Sequence, residues 1–568
     1  SFLLGQVFSA QTENARFVAQ QFRSHSMYFQ DDWKVSTKLT LNFGLRYEFS
    51  LPPREADDKW SDFDPTRPNP GADGFLGALI FAGEGEGRTG SRTLIPSWYG
   101  GWSPRFSFAY QWNEKTVIRG GAARSFGVVR TTTGSTHFDG AIVIFPIGGT
   151  TDFGVTPAFK LDTGFIVNGQ NIVPQPPSTD PGFGVRPGVA PAVPWWQGSE
   201  AVRLPESYDW TLSVQRQVTK NMVFETSYNA TIGAHLVANL LNFQQLPWSY
   251  VTQYGATLLN SPLVRADGTD NPTAVAAGVK RPYPSFRGSV AQALRLYPQY
   301  GALNTGSGHG DKSGHSTYHA WVTKLEQRTG FGMTFLGSYV FSKLITDTDE
   351  YGMGALALDH YNLQWEKSVG NYDLTHNFKL SYVYELPFGK GKKWLNGGVT
   401  GAALGGWRLS AVHLYSSGTP IGLGNSQSFP IFGGRNAAYV TSLDGWVAGA
   451  PSNPDWRSGA TRFFNSACAY VTCNAAGQVT QFNDRPGNVP RRNSHARREA
   501  NLAENFSLAK TFNFTERFRM DFRWEAFNVF NRAILNPNNT NVQSLDFGRV
   551  TSQANDSRRM QFGLKLYF

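Results

Sequence analysis

Residues 517–526 read RFRMDFRWEA, and their alternation decides the fold. Phe518, Met520, Phe522, Trp524 and Ala526 share one face of an extended chain, while Arg517, Arg519, Asp521, Arg523 and Glu525 share the other. Successive side chains of a strand point to opposite sides, so this stretch is a strand with one apolar and one charged face. The same period of two recurs along the chain. Leu39, Leu41, Phe43, Leu45, Tyr47 and Phe49 oppose Thr40, Asn42, Gly44, Arg46 and Glu48. Phe106, Phe108, Tyr110 and Trp112 oppose Arg105, Ser107, Ala109 and Gln111. Tyr208, Trp210, Leu212 and Val214 oppose Asp209, Thr211, Ser213 and Gln215, and 376–386 behaves likewise. The final stretch carries Met560, Phe562, Leu564, Leu566 and Phe568 on one side, and Gln561, Gly563, Lys565 and Tyr567 on the other.

A soluble sandwich also alternates. It does not need strands of about ten residues with so many aromatics on the apolar face, whereas a membrane barrel does. Thirteen such strands are legible, with one more expected before residue 20. They pair through short turns near Ser36-Thr37, Asn113-Glu114, Thr219-Lys220, Thr329-Gly330 and Asn513-Phe514, and through a longer turn at roughly 387–403. Between the pairs lie long Gly/Pro-rich stretches at roughly 51–101, 127–206, 232–315, 344–372 and 417–500. Short connections on one side and long ones on the other are the loop asymmetry of an outer-membrane barrel.

Composition agrees. The 568 residues include 60 glycines and 31 prolines, are 40% hydrophobic and 14% aromatic, and carry only 17% charged residues. That excludes a coiled coil and wholesale disorder. No run approaches the ~20 apolar residues of a membrane-spanning helix. The net charge of +10 raises the question of nucleic acid. The basic residues are spread along the chain, however, and no nucleic-acid-binding signature is present, so no nucleic-acid partner is expected. Cys468 and Cys473, in the loop-like stretch SACAYVTCNAAG, have the spacing to close a small disulfide in an oxidising compartment; two unpaired thiols are the alternative.

Several segments together resemble the TonB-dependent outer-membrane transporters, in particular the branch with an Oar-like barrel. They are SMYFQDDWKVSTKLTLNFGLRYEF (26–49), YHAWVTKLEQRTGFGMTFLGSYVFSK (318–343), DLTHNFKLSYVYELPFGKGKKW (373–394) and GWRLSAVHLYSSGTP (406–420). GNVPRRNS followed by LAKTFNFTERFRMDFRWEAFNVFNR (487–532) completes the set, and FLLG at 2–5 resembles a segment just before the first. Each is weak alone; the ordered set is specific. HARREAN departs from the Gly/Pro-rich turn usual after Arg492.

The resemblance implies an all-β, antiparallel transmembrane β-barrel with long extracellular loops and short periplasmic turns. About 13–16 strands of a larger barrel of about 22 are expected in residues 1–568. The family's plug, its TonB-contacting segment and the carboxypeptidase-regulatory-like domain of many members have no counterpart among these segments. The expectation is therefore a C-terminal barrel portion forming an incomplete barrel. The implied function is TonB-dependent transport of a scarce or bulky ligand, energised by the inner-membrane TonB complex through the plug. A passive porin-type channel and a surface adhesin are the alternatives. The implied partners are the TonB complex, the barrel-assembly machinery, outer-membrane lipid and lipopolysaccharide, and an unidentified small-molecule, glycan or peptide ligand.

Candidate site residues follow. The ladder Arg517, Arg519, Asp521, Arg523 and Glu525 is expected to line the lumen, where such charges satisfy one another and, in the resembled family, face the plug. Tyr567-Phe568 resembles the C-terminal signal read by the barrel-assembly machinery. Trp195-Trp196, in a long loop, can stack on a flat ligand, anchor at the interface or pack the loop. Arg491, Arg492, Arg497 and Arg498 read as a solvated turn or a contact with anionic lipopolysaccharide.

Sharper chemistry is not supported. GEGEGRTG at 83–90 contains GxGxxG but sits in a polar loop. His309, His315 and His319 lack a ligand set beyond themselves. Asp347, Asp349 and Glu350 resemble a calcium loop, but Leu358 stands where its twelfth-position glutamate is required. No nucleophile–base constellation, G-x-S-x-G or HExxH is present, so neither an enzyme nor a cofactor is expected.

Overall fold

The computed structural model describes residues 19–127, 202–301, 310–349, 357–423 and 490–568 apart from isolated positions, with short pieces between 5 and 15 and between 142 and 198. Long alternating segments become strands because each offers a continuous apolar face and has few helix-forming repeats. They are β1 Gln20–Lys34, β2 Leu39–Glu55, β3 Trp98–Asn113, β4 Thr116–Phe126, β5 Glu206–Thr219, β6 Met222–Leu236 and β7 Gly314–Gly330. They continue with β8 Met333–Thr346, β9 His376–Glu385, β10 Trp407–Ser416, β11 Asn501–Asn513, β12 Arg519–Phe527 and β13 Arg559–Tyr567.

All thirteen lie in one sheet in chain order, and each pairs antiparallel with the next; the two-residue strand Ser368–Val369 pairs with the end of β8. The thirteen strands read from the sequence are these thirteen. The additional strand before residue 20, Ser9–Ala15, pairs with Ile142–Gly149 in a separate two-stranded sheet and does not extend the wall. Among the described residues, no strand pairs with the outer edges of β1 and β13, so the wall is open.

Register keeps the two faces apart. Phe43 lies opposite Phe106, Trp210 opposite Ala122 and Ala230, and Trp524 opposite Leu508 and Phe562. The polar face aligns equally well, with Asn42 opposite Ser107 and Asp32, and Asp209 opposite Ala123 and Thr231. A slip of one residue would exchange the faces of a strand, so the pattern itself pins the register.

Among the described residues, most of the apolar face has no protein covering. On β13, Met560, Phe562, Leu564 and Leu566 are all exposed, as are Phe29 on β1 and Trp321 on β7. The packed clusters lie instead in the connections on the long-loop side. Leu246, Val251, Leu259, Leu263, Phe286 and Val290 form one, around the short helices Ser249–Tyr254, Ala256–Asn260, Pro272–Ala276 and Val290–Ala293. Phe63, Tyr297, Tyr300 and Leu303 form another. A sheet whose apolar face is bare, while its loops carry the cores, is built for a hydrocarbon solvent.

Candidate functional site

The inward, polar face is a hydrogen-bonded wall. Arg105 donates to Gln30 at 2.8 Å, Ser107 to Asn42 at 2.9 Å, and Arg119 to Gln215 at 2.7 Å. Thr231 donates to Asp209 at 2.6 Å, and Thr211 Oγ1 lies 2.7 Å from the Asn229 amide oxygen. These contacts tie β3 to β2 and, across Gly44, to β1, and they tie β5 to β4 and to β6. Short side chains leave depth between the long ones. Arg105 lies across Gly44, where a Cβ would fall 2.3 Å from its Nε, and a Cβ on Gly121 would sit 3.0 Å from Ser107 Cβ. The result is a hollow of about 680 Å³, whose polar lining includes Gln30, Asp32, Asn42, Arg105, Asp209 and Thr231. Phe43, Phe106 and Trp210 also line it, so its chemistry combines amide, hydroxyl and both signs of charge with aromatic surface.

The ladder on β12 occupies the same face at the other end of the sheet. Arg519 stacks 4.1 Å over the Tyr567 ring, and Lys565 lies 4.7 Å from it. Thr511 donates to Asp521 at 2.7 Å, Arg523 pairs with Glu525 at 3.4 Å, and Gln561 also donates to Glu525. Arg517 is not on the strand. The amides of Phe514 and Thr515 both donate to Phe518 O at 3.1 Å, which curls 514–518 into a turn and leaves Arg517 exposed there. Tyr567 therefore belongs to the inward wall, and Phe568 is fully exposed.

On the long-loop side, separate connections lock together. The hairpin of Ser61–Asn69 and Phe75–Phe81 meets the connection between β6 and β7: Asn69 donates to Tyr300 Oη at 3.1 Å, and Gln299 donates to the carbonyls of Leu76 and Gly77 at 2.8 Å. Ser285 N donates to Asp73 at 2.7 Å. That bond holds the Asp73 carboxyl below the usual carboxylate range. Trp196 packs into the joint, 4.5 Å from Phe243 and 6.0 Å from Phe63, as a half-buried ring. Trp195, Cys468 and Cys473 lie outside the described residues, as do His309 and Glu350.

The histidines and acids read from the sequence are dispersed into separate contacts. His319 Nδ1 lies 2.7 Å from Tyr228 Oη, while His315 sits against Asp347, which accepts the His315 amide at 2.6 Å. Asp349 is held by Arg491 at 3.0 Å and by the Asn371 amide at 2.9 Å. Among the described residues no group of three His, Cys, Asp or Glu could hold a metal ion. Arg491 and Arg497 do not form a solvated turn: Arg491 reaches Asp349 and lies 3.7 Å from the buried Glu366, and Arg497 is paired with the buried Asp373.

Two buried carboxylates within the wall strands, on their apolar faces, escaped the sequence reading. Glu206 shares the face of Tyr208 and Trp210, yet is buried among Arg124, Arg203, His235 and the Tyr208 hydroxyl. Glu504, opposite His413, is buried against Arg532 at 3.0 Å. A charge on the apolar face of an alternating strand was the available signal.

An apolar belt outside, a polar wall inside and packed loops at one end define the class: a transmembrane β-barrel wall. Residues 1–561 match the family model described as outer membrane beta barrel domain, and the chain belongs to that family, integral to the outer membrane. No curated protein matches. Among solved structures, the unliganded ferric citrate transporter FecA is similar at 9% identity and a TM-score of 0.38, over 97% of this chain and 46% of that one. The ferripyoverdine receptor of Pseudomonas aeruginosa bound to ferripyoverdine is similar at 7% identity and a TM-score of 0.38, over 97% of this chain and 39% of that one. The ferric-catecholate import receptor Fiu from E. coli K12 has 9% identity and a TM-score of 0.37, over 97% of this chain and 45% of that one. The chain thus spans less than half the length of these structures.

Proposed function

We propose that this chain is barrel wall of an outer-membrane receptor that imports a scarce or bulky ligand, driven by the inner-membrane TonB complex acting on a plug in the lumen. The observation that carries the reading is that, among the described residues, thirteen strands lie side by side and the wall is still open. In lipid an unpaired strand edge leaves backbone groups unsatisfied at several kcal/mol each, so further strands must meet β1 and β13. The completed barrel is then wider than thirteen strands. Barrels of about 22 strands are the plugged transporters.

The wall chemistry fits. The ladder and the hollow by Arg105 and Asp209 offer charged and hydrogen-bonding side chains to a protein plug or a passing polar ligand. The interlocked loops offer a built outer surface for capture. Tyr567 and Phe568 serve as the signal for the barrel-assembly machinery.

Conductance in a planar bilayer, using protein isolated from the outer membrane, tests the reading. A plugged transporter stays closed until urea unfolds its plug. A steady open pore in the untreated protein would replace the reading with a passive porin-type channel. Ligand binding without uptake dependent on TonB would replace it with an adhesin.

A further inference from the structure

The connection between β9 and β10, residues 386–406, is unlike the other links on the short-turn side, which are 35–38, 114–115, 220–221, 331–332 and 514–518. It is a folded element. Gly389 N donates to Trp394 O at 3.0 Å, Trp394 N to Pro387 O at 3.2 Å, and Leu386 N to Trp407 O at 2.9 Å. The helix Gly398–Leu404 packs on the first half through glycines: a Cβ on Gly389, whose φ is +102°, would lie 2.6 Å from Gly405 Cα.

Its apolar side chains nevertheless point outward. Trp394 is 50% exposed, Leu395 41%, Leu404 51% and Val399 86%. Water is a poor environment for such a patch on an ordered element. The helix is also tied to the lipid-facing side of the wall. Lys510 Nζ donates to the carbonyls of Ala402 at 2.6 Å and Ala403 at 2.8 Å, and Trp407 Nε1 donates to Ala403 O at 3.1 Å. Lys510 and Trp407 lie opposite each other and share the apolar face with Phe522. The exposed patch is therefore continuous with the apolar belt, at the end where the wall meets the periplasmic leaflet. Lys390, Lys392 and Lys393 belong to the same element; Lys392 pairs with Glu385 at 2.8 Å, and Lys393 lies 5.2 Å over the Trp394 ring.

We propose that residues 386–406 form a foot lying in the periplasmic-leaflet interface and binding anionic phospholipid. Trp394, Leu395, Val399 and Leu404 enter the acyl boundary, while Lys390 and Lys393 meet headgroup phosphates. Aromatic and aliphatic side chains beside lysines are the composition of an interfacial anchor. This inference rests on the membrane fold and not on transport, so it stands or falls apart from the transport reading.

The test uses the full chain from outer membranes, with Cys468 and Cys473 replaced by serine and a polarity-sensitive dye on Val399→Cys. The protein is placed in nanodiscs of phosphatidylcholine, with or without phosphatidylglycerol, and brominated acyl chains serve as quencher. A dye on Asp267→Cys, in the long loops, is the aqueous reference. The expected result is blue-shifted, quenched emission at residue 399 alone. Lys390→Gln with Lys393→Gln should weaken the preference for phosphatidylglycerol on the order of tenfold, while the corresponding Lys→Arg pair keeps it. Both pairs are read only in protein with wild-type heat-modified migration, and Leu395→Cys provides a second dye position. Aqueous emission at both 399 and 395, or an unchanged lipid preference in the glutamine pair, would overturn the proposal.

Discussion

Arg497 closes an ion pair on Asp373, 124 residues earlier in the chain, and the Asp373 side chain is completely buried. The same guanidinium donates to the Asp373 carbonyl at 3.1 Å and the Gly418 carbonyl at 3.0 Å, while the Leu344 amide donates to the carboxylate at 2.6 Å. One side chain thereby joins the end of β8, the lead into β9 and the return from the 417–500 connection. Removing the cation strands a buried carboxylate, a change that costs about 3–5 kcal/mol. Arg497→Ala should lower local stability by that order. The check is faster hydrogen exchange at the Leu344 amide and new protease cleavage near Gly418 and Arg497, with the remainder of the wall unaffected.

A pH response is expected in the loops. Burial holds the His360 imidazole below an ordinary histidine's pKa, with Asp359 and Asp311 opposing the shift more weakly. Its neutral Nδ1 accepts the Asn242 amide at 3.2 Å, and its ring packs 5.1 Å from Phe243. A depressed folded-state pKa gives stability that is present above the unfolded value and lost as pH falls through the folded one. The protection of the Asn242 amide, its exchange relative to an unstructured amide at the same pH, should therefore fall as the solution is taken from neutral to mildly acidic. His360→Gln should flatten that dependence. Protection that does not change with pH in the wild type would show that the ring does not hold this contact.

Glu206 allows buried and exposed charges to be compared on one hairpin. Its carboxylate is buried on the apolar face of β5 and accepts the Tyr208 hydroxyl at 3.0 Å beside Arg124. On the same hairpin, Glu225 lies 3.5 Å from Lys324, with both side chains partly exposed. Glu206→Gln leaves Arg124 without its counter-charge and should destabilise the protein by about 3 kcal/mol. Glu225→Gln should change it by less than ~1 kcal/mol. Urea titration of the heat-modifiable band measures both, and equal effects would refute the assignment of Glu206 as a buried anchor.

The wall was legible because its signal is local. Nine or more residues alternating in step, as in Arg559–Tyr567, need no partner to be recognised, and pairing follows once the turns are found. What escaped depends on contacts distant in sequence. Arg491 and Arg497 look like a solvated basic turn until Asp349 and Asp373 are brought beneath them. Trp196 gives no hint in its own segment of Phe243 and Phe63. The helices between β6 and β7 are only four to six residues long, too short for a 3.6-residue stripe to emerge. Arg517 shows the opposite error: alternation continues through it, but the turn closed on Phe518 O removes it from the strand.

That placement sharpens the expectation for the charge ladder. Arg519, Asp521, Arg523 and Glu525 are paired with neighbours on β11 to β13, yet the Arg523 side chain remains 61% exposed. Exposed pairs of this kind contribute about 0–1 kcal/mol. Arg519→Gln combined with Arg523→Gln should therefore leave urea unfolding nearly unchanged, whereas a purely structural ladder would lose stability in proportion to the charges removed. Its larger effect should be on what the lumen admits. With two cations removed from one wall, the urea-opened pore should shift toward cation selectivity, read as a change in reversal potential across a salt gradient. Arg517→Gln, in the turn and off the wall, should not move that potential. A shift of equal size from Arg517 would mean that the potential reports net charge near the mouth and not the lining of the lumen.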